Sequence, residues 1–167
     1  ASSTSFTAQC YRLYDAPDLG SLVRCGEDGG VYGIVCDVAT QSIDPSRPSI
    51  PRGESVETEE EVYRQNPQLS RLLSTQVQAT AVGFRADGRI LRYLSPLPPR
   101  IHSFAYACAD DEVRRFSSSL DFLPLLLAAP VGAPDDVIAG FLRQASAAHE
   151  DPGRFLVDAG RTMAAHL

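Results

Sequence analysis

The run Val31-Tyr32-Gly33-Ile34-Val35-Cys36-Asp37-Val38 leaves a chain like this little conformational choice. Its β-branched and aromatic residues suit a pleated, half-buried surface, so it predicts a β-strand. Tyr32, Ile34, Cys36 and Val38 fall on one face of that strand; Val31, Gly33, Val35 and Asp37 fall on the other. Glycine weakens a strand interior, so Gly33 marks a bend or the close approach of another backbone. Upstream, Leu22-Val23-Arg24-Cys25 reads as a second strand, and Gly26-Glu27-Asp28-Gly29-Gly30 joins the two as a hairpin loop.

An isolated hairpin is marginal in water, so these strands need others beside them. Residues 1–9 are small and polar and suit a frayed end or a lead-in strand, and Cys10 to Tyr14 is the candidate first strand. Thr75 to Phe84 and Arg89 to Leu94 form a further pair across Arg85-Ala86-Asp87-Gly88, whose Asp-Gly step is a hairpin signal. Pro96, Pro98 and Pro99 make a stiff crossing to a last strand over His102 to Cys108. Short strands punctuated by turns suggest a barrel or curled sheet, because closure removes exposed edges.

Helical patterns interrupt and then follow the strands. Residues 39–57, with Pro45, Pro48, Pro51 and Gly53, read as a loop. Thr58-Glu59-Glu60-Glu61 is a capping box, with Thr58 as N-cap and Glu61 as its reciprocal partner. Asn66-Pro67 ends that helix and starts another, so residues 58–74 are an insertion of two short helices. From Asp110 the period changes. Asp110 caps a helix through Phe116, Asp121 caps Phe122 to Ala129, Pro134 opens a helix to about Ala148, and Asp151-Pro152 opens the last. Val137, Ile138, Phe141, Leu142 and Ala145 share one face, and that stripe must pack on another helix, on the barrel or on a neighbouring chain. The expected fold is α+β: a small β-barrel of about six strands over 1–108, then a helical subdomain over 109–167.

Charge and composition exclude more than they assign. The formal charge is -6, and neither half of the chain is basic, which argues against nucleic acid or anionic lipid as a partner. There is no Lys, so a phosphate-binding P-loop and Schiff-base chemistry are both excluded. No GxSxG elbow is present. His102, His149 and His166 lie far apart, without the spacing of a metal motif, and no cofactor is expected. Cys10, Cys25, Cys36 and Cys108 have no paired spacing and lie mostly in apolar runs, which favours reduced core cysteines. No apolar run spans a bilayer and no secretory signal is visible, so a cytoplasmic location is expected.

Few side chains remain for chemistry. Asp37 and Asp44 can serve as bases, though a carboxylate at such a position more often pairs with Arg or caps a turn. Glu57 and Glu59 to Glu61 read as a solvated helix start. A ligand pocket at the barrel mouth would draw its polar groups from Tyr32, Asp37, Arg92 and His102, and a hydrolase would need Asp37 and His102 within hydrogen-bond reach.

Leu22-Val23-Arg24, a glycine turn and Val31 to Val35 together resemble the opening of the HAS-barrel, the small β-barrel shared by HerA-type ATPases and ATP synthase subunits. Thr75 to Phe84 resembles its later strand, and Leu97 to Tyr106 its closing proline-then-strand segment, so the resemblance covers residues 10–108. It implies a non-catalytic barrel that serves assembly, either in a homo-oligomer or with a separate protein partner. In the family an ATPase domain usually follows. Here a helical tail stands in that place without a Walker motif, so the motor activity is not implied.

Overall fold

The computed structural model describes residues 1–27, 29–44, 46, 50, 51 and 54–166. Asp28 of the glycine turn, and residues 45, 47–49, 52 and 53 of the expected loop, lie outside them. The strands are β1 (Ser5–Gln9), β2 (Leu22–Cys25), β3 (Val31–Ser42), β4 (Leu73–Ala86), β5 (Arg89–Leu91) and β6 (Ala105–Ala107). The helices are α1 (Glu59–Gln65), α2 (Leu69–Leu72), α3 (Asp110–Phe116), α4 (Leu123–Leu127), α5 (Pro134–Ala148) and α6 (Pro152–Ala164). The class is α+β, and no described helix is long and apolar enough to cross a membrane.

The strands form one antiparallel sheet in the order β1-β4-β3-β2-β6, with β5 pairing β4. That path is open at both ends, so the hydrogen bonds draw an open sheet, and a closed barrel is not shown. The β3–β4 ladder is its spine, running from Val31↔Phe84 to Ser42↔Leu73. Register shifts fall between Tyr32 and Gly33 and between Val35 and Asp37, and such bulges add the local twist that bends a ladder. At Gly33 the Phe6 ring fills the place a Cβ would take, at 2.7 Å, so the glycine marks a side chain's approach as well as a bend. The β4–β5 hairpin turns on Asp87 and Gly88, both at positive φ (48° and 72°), as the tight Asp-Gly turn requires.

Each face of the sheet is buried by a different partner. Leu22, Tyr32, Ile34 and Val82 pack against α3 to α6 through Phe116, Phe122 and Phe141. The helical tail therefore shares one core with the sheet. The other face gathers Phe6, Val23, Val31, Val35, Val77 and Ala79, all from strands. Two glycines let α5 dock closely. Gly20 has φ +85°, its missing Cβ would strike the backbone of Gly140 and Phe141, and a Cβ on Gly140 would strike the Leu19 carbonyl. The Leu22 N–H then donates to Gln144 Oε1 at 3.0 Å.

Several local expectations are corrected. The first strand is Ser5–Gln9, and Cys10 to Tyr14 is a turn: Tyr14 sits at φ 63° and its N–H donates to Thr75 Oγ1. β3 continues to Ser42, four residues into the expected loop, because Thr40 and Ser42 find partners on β4. The last strand shrinks to Ala105–Ala107, since His102 (φ 68°) lies in a turn closed by Ser103 N–H to the Arg100 carbonyl. α1 keeps only half of its capping box. Thr58 Oγ1 accepts from Glu61 N–H, but the Glu61 carboxylate accepts from Arg64 and Gln65 instead. Asp110 and Asp121 are not caps; those positions are Ala109 and Phe122, and Asp121 accepts from the Ser119 hydroxyl. Asp151 does cap α6, through the Arg154 N–H at 2.9 Å.

Candidate functional site

The sheet's two end strands meet across a cleft. In an antiparallel ladder, alternate residues send both backbone groups to the same neighbour. The register Phe6↔Ala79 and Ala8↔Val77, flanked by Ala81 N–H to Thr4 and Cys10 N–H to Thr75, turns the even residues of β1 toward β4. Thr7 and Gln9 turn their N–H and C=O groups away. On β6, Gly26 N–H to Phe104 and Cys108 N–H to Leu22 bracket the ladder, so Tyr106 bonds β2 while Ala105 and Ala107 face outward. None of these four outward residues has a backbone partner among the described residues.

Both free edges line one cavity of about 730 Å³, within the range of ligand-binding clefts. Its floor is the strand-lined core, represented by Phe6, Val23 and Val77. Its rim carries large apolar side chains in water: Tyr11 is 90 % exposed and Phe104 60 %, with Ile101 at 80 % on the adjoining turn. Asp15 also lines the cleft and has no ion-pair partner among the described residues. Beside it, burial, aided by the Asp15 charge, pushes the Cys10 thiol up.

Behind β6 a partly buried ion network ties the sheet to α3. Glu112 Oε1 accepts from Arg24 Nε at 2.9 Å, Arg85 Nη2 at 3.0 Å and the Tyr32 hydroxyl at 2.8 Å. Burial pushes the Glu112 carboxyl up, but the Tyr32 hydroxyl and the two guanidiniums together hold it below the usual glutamate range. Burial and the Glu112 carboxylate push the Tyr32 hydroxyl up to about 12, so it stays a donor. Arg24 also lies 5.6 Å from the Tyr106 ring centroid, which props β6 from behind. Cys108 follows β6, and burial pushes its thiol up to about 12, which removes the thiolate needed for nucleophilic or redox chemistry. All four cysteines are free.

The four polar residues expected at a barrel mouth occupy separate places. Tyr32 is buried in the Glu112 network. Asp37 is exposed on β3 opposite Gln78. Arg92 donates to the carbonyls of Phe116 and Arg115 at the C-terminus of α3, a capping role. His102 alone of the four lines the cleft. Asp44 accepts from the Ser46 N–H and hydroxyl, as a turn carboxylate does. Glu112, Thr7, Gln9 and Ala107 escaped sequence reasoning; Glu112 reads as one more acid in a helical first turn. No group of three or more His, Cys, Asp or Glu that could hold a metal occurs among the described residues. The arrangement offers unpaired backbone and apolar surface, which can bind an extended segment. No family model matches the chain, and no curated protein matches it significantly.

Proposed function

We propose that the chain is a HAS-barrel-like assembly or adaptor protein of the cytoplasm. It works by contact with protein, either as a homo-oligomer or with a separate partner, and performs no chemistry of its own. The observation that carries this reading is the cleft between β1 and β6, where unpaired strand edges are rimmed by exposed Tyr11 and Phe104, with exposed Ile101 on the adjoining turn. Unpaired edges and apolar rims are features that proteins cover or use for contact. The acidic balance of the chain favours a protein over nucleic acid.

Light scattering coupled to size exclusion, with crosslinking in extracts, tests the reading. The chain is expected to run above its 18.0 kDa monomer mass or to crosslink reproducibly to one protein. Phe104→Asp with Ile101→Asp is expected to abolish that association while leaving the fold intact, because both side chains already face water. A strict monomer with no crosslinked partner contradicts the reading.

A further inference from the structure

The direction of the strands fixes what fits the cleft. Successive neighbours in β1-β4-β3-β2-β6 are antiparallel, so β1 and β6 run the same way. The sheet cannot close on itself by pairing these two without a parallel step in an otherwise antiparallel structure. One additional strand can lie antiparallel to both. Such a strand would meet the outward N–H and C=O groups of Thr7 and Gln9 on one side and of Ala105 and Ala107 on the other. Alternate side chains would enter above Phe6, Val23 and Val77, where Ala105 and Ala107 leave room by being small.

We propose that this cleft is the docking site for an extended peptide segment of a partner protein, which enters as a strand antiparallel to β1 and β6 and completes the barrel. The inference rests on the reading of the chain as a contact module and names the form of its partner. The segment carries apolar residues at alternate positions for the floor. It runs against β1 and so begins where β1 ends, beside Asp15; a basic residue at its amino-terminal end complements that carboxylate. A second copy fits less well. It offers β1 or β6 as its own free edge, and pairing with either would satisfy one side of the cleft and leave the other unpaired. Main-chain bonding of this kind gives affinity, and alternate side chains give selectivity.

The test is a displayed library of random peptides about eight residues long, selected against the wild-type chain. Selected peptides are expected to alternate apolar and polar residues with a basic residue near the start. They are expected to slow amide exchange at Thr7, Gln9, Ala105 and Ala107. Methylating their backbone nitrogens should abolish binding. Ala107→Pro removes an outward donor without touching the ladder to β2, and should weaken binding about tenfold, while Ala107→Ser, which keeps the donor and the small side chain, stays within about twofold. If the proline variant fails to fold, the methylated peptides on wild-type protein still decide. No recoverable binder, binders that protect other amides, methylated peptides that bind as well as their parents, or a dimer that already protects these four amides would each overturn the proposal. Association by light scattering together with indifference to methylation would sink the inserted strand and spare the contact module; loss of both would sink both.

Discussion

The two faces of the sheet bury similar residues by different means. On the helix-covered face, Phe116, Phe122 and Phe141 pack in sequence, tilted and then edge to face, at centroid distances of 4.9 and 5.2 Å, and Tyr32 joins them at 4.9 Å. That core is sealed by α3 to α6, and Glu112 beside it is matched by two arginines. The strand-lined face is covered by the sheet's own strands and by Cys10, Ala16 and Leu94 of the adjoining loops, and it stays open at the cleft between β1 and β6. One face is finished within the chain. The other is left with apolar floor and backbone donors at its margin, and the proposed contact surface rests on that difference.

Truncating one aromatic on each face breaks the comparison most severely. Phe122→Ala should cost about 5 kcal/mol, because Phe122 is fully buried among fixed helices that cannot collapse into the hole. Phe6→Ala should cost about 3 kcal/mol, the low end for such a change, because Phe6 lies beside an open cleft. Urea midpoints at constant slope measure both, and equal losses would mean that the second face is as tightly closed as the first.

Gly20→Ala probes the docking of the helical layer itself. A left-handed backbone and a collision with α5 should together cost about 3 kcal/mol, read from the same titration. The matching change at the open margin, Ala107→Val, should leave stability within about 0.5 kcal/mol, since β6 is exposed.

Much of the helical layer was legible. Pro134-Asp135-Asp136 and Asp151-Pro152 are strong start signals, and α5 and α6 begin there, at Pro134 and Pro152. The β2–β3 hairpin was equally clear, because both strands are buried and apolar. The margin was not. β1 is Ser5-Phe6-Thr7-Ala8-Gln9, an edge strand with one wet face, and its period-2 signal rests on Phe6 alone. β6 is three residues long and exposed, held by Arg24 and by its ladder rather than by an apolar run. A cleft between two such strands depends on how far the sheet curls, and no local spacing encodes that. Of Tyr32, Asp37, Arg92 and His102, only His102 lines that cleft; Tyr32 bonds Glu112 of α3, and Arg92 caps the same helix.

Acid titration separates the faces more gently. The folded Glu112 pKa lies below its ordinary value of 4.5, so this group contributes stability that is present above that value and lost as pH falls through the lowered one. Glu112→Gln should cost about 2 kcal/mol near neutral pH and remove that part of the acid dependence below pH 4.5. His149, held below its usual range by burial and by Arg114, adds a smaller loss as pH falls below 6.5, because its neutral ring accepts from or donates to Ser117 and stacks on Phe155. Thermal midpoints of wild type and Glu112→Gln across pH 3–7 check the sign; parallel curves would remove Glu112 from the account.

Amide hydrogen exchange on the free chain reaches the central point directly. Phe6, Ala8, Tyr106 and Cys108 bond their sheet neighbours and should exchange slowly. Thr7, Gln9, Ala105 and Ala107 alternate with them on the same short strands and should exchange within about tenfold of an unstructured peptide. If all eight exchange slowly, the edges are already paired, the cleft is shut, and the chain has no open margin with which to meet a partner.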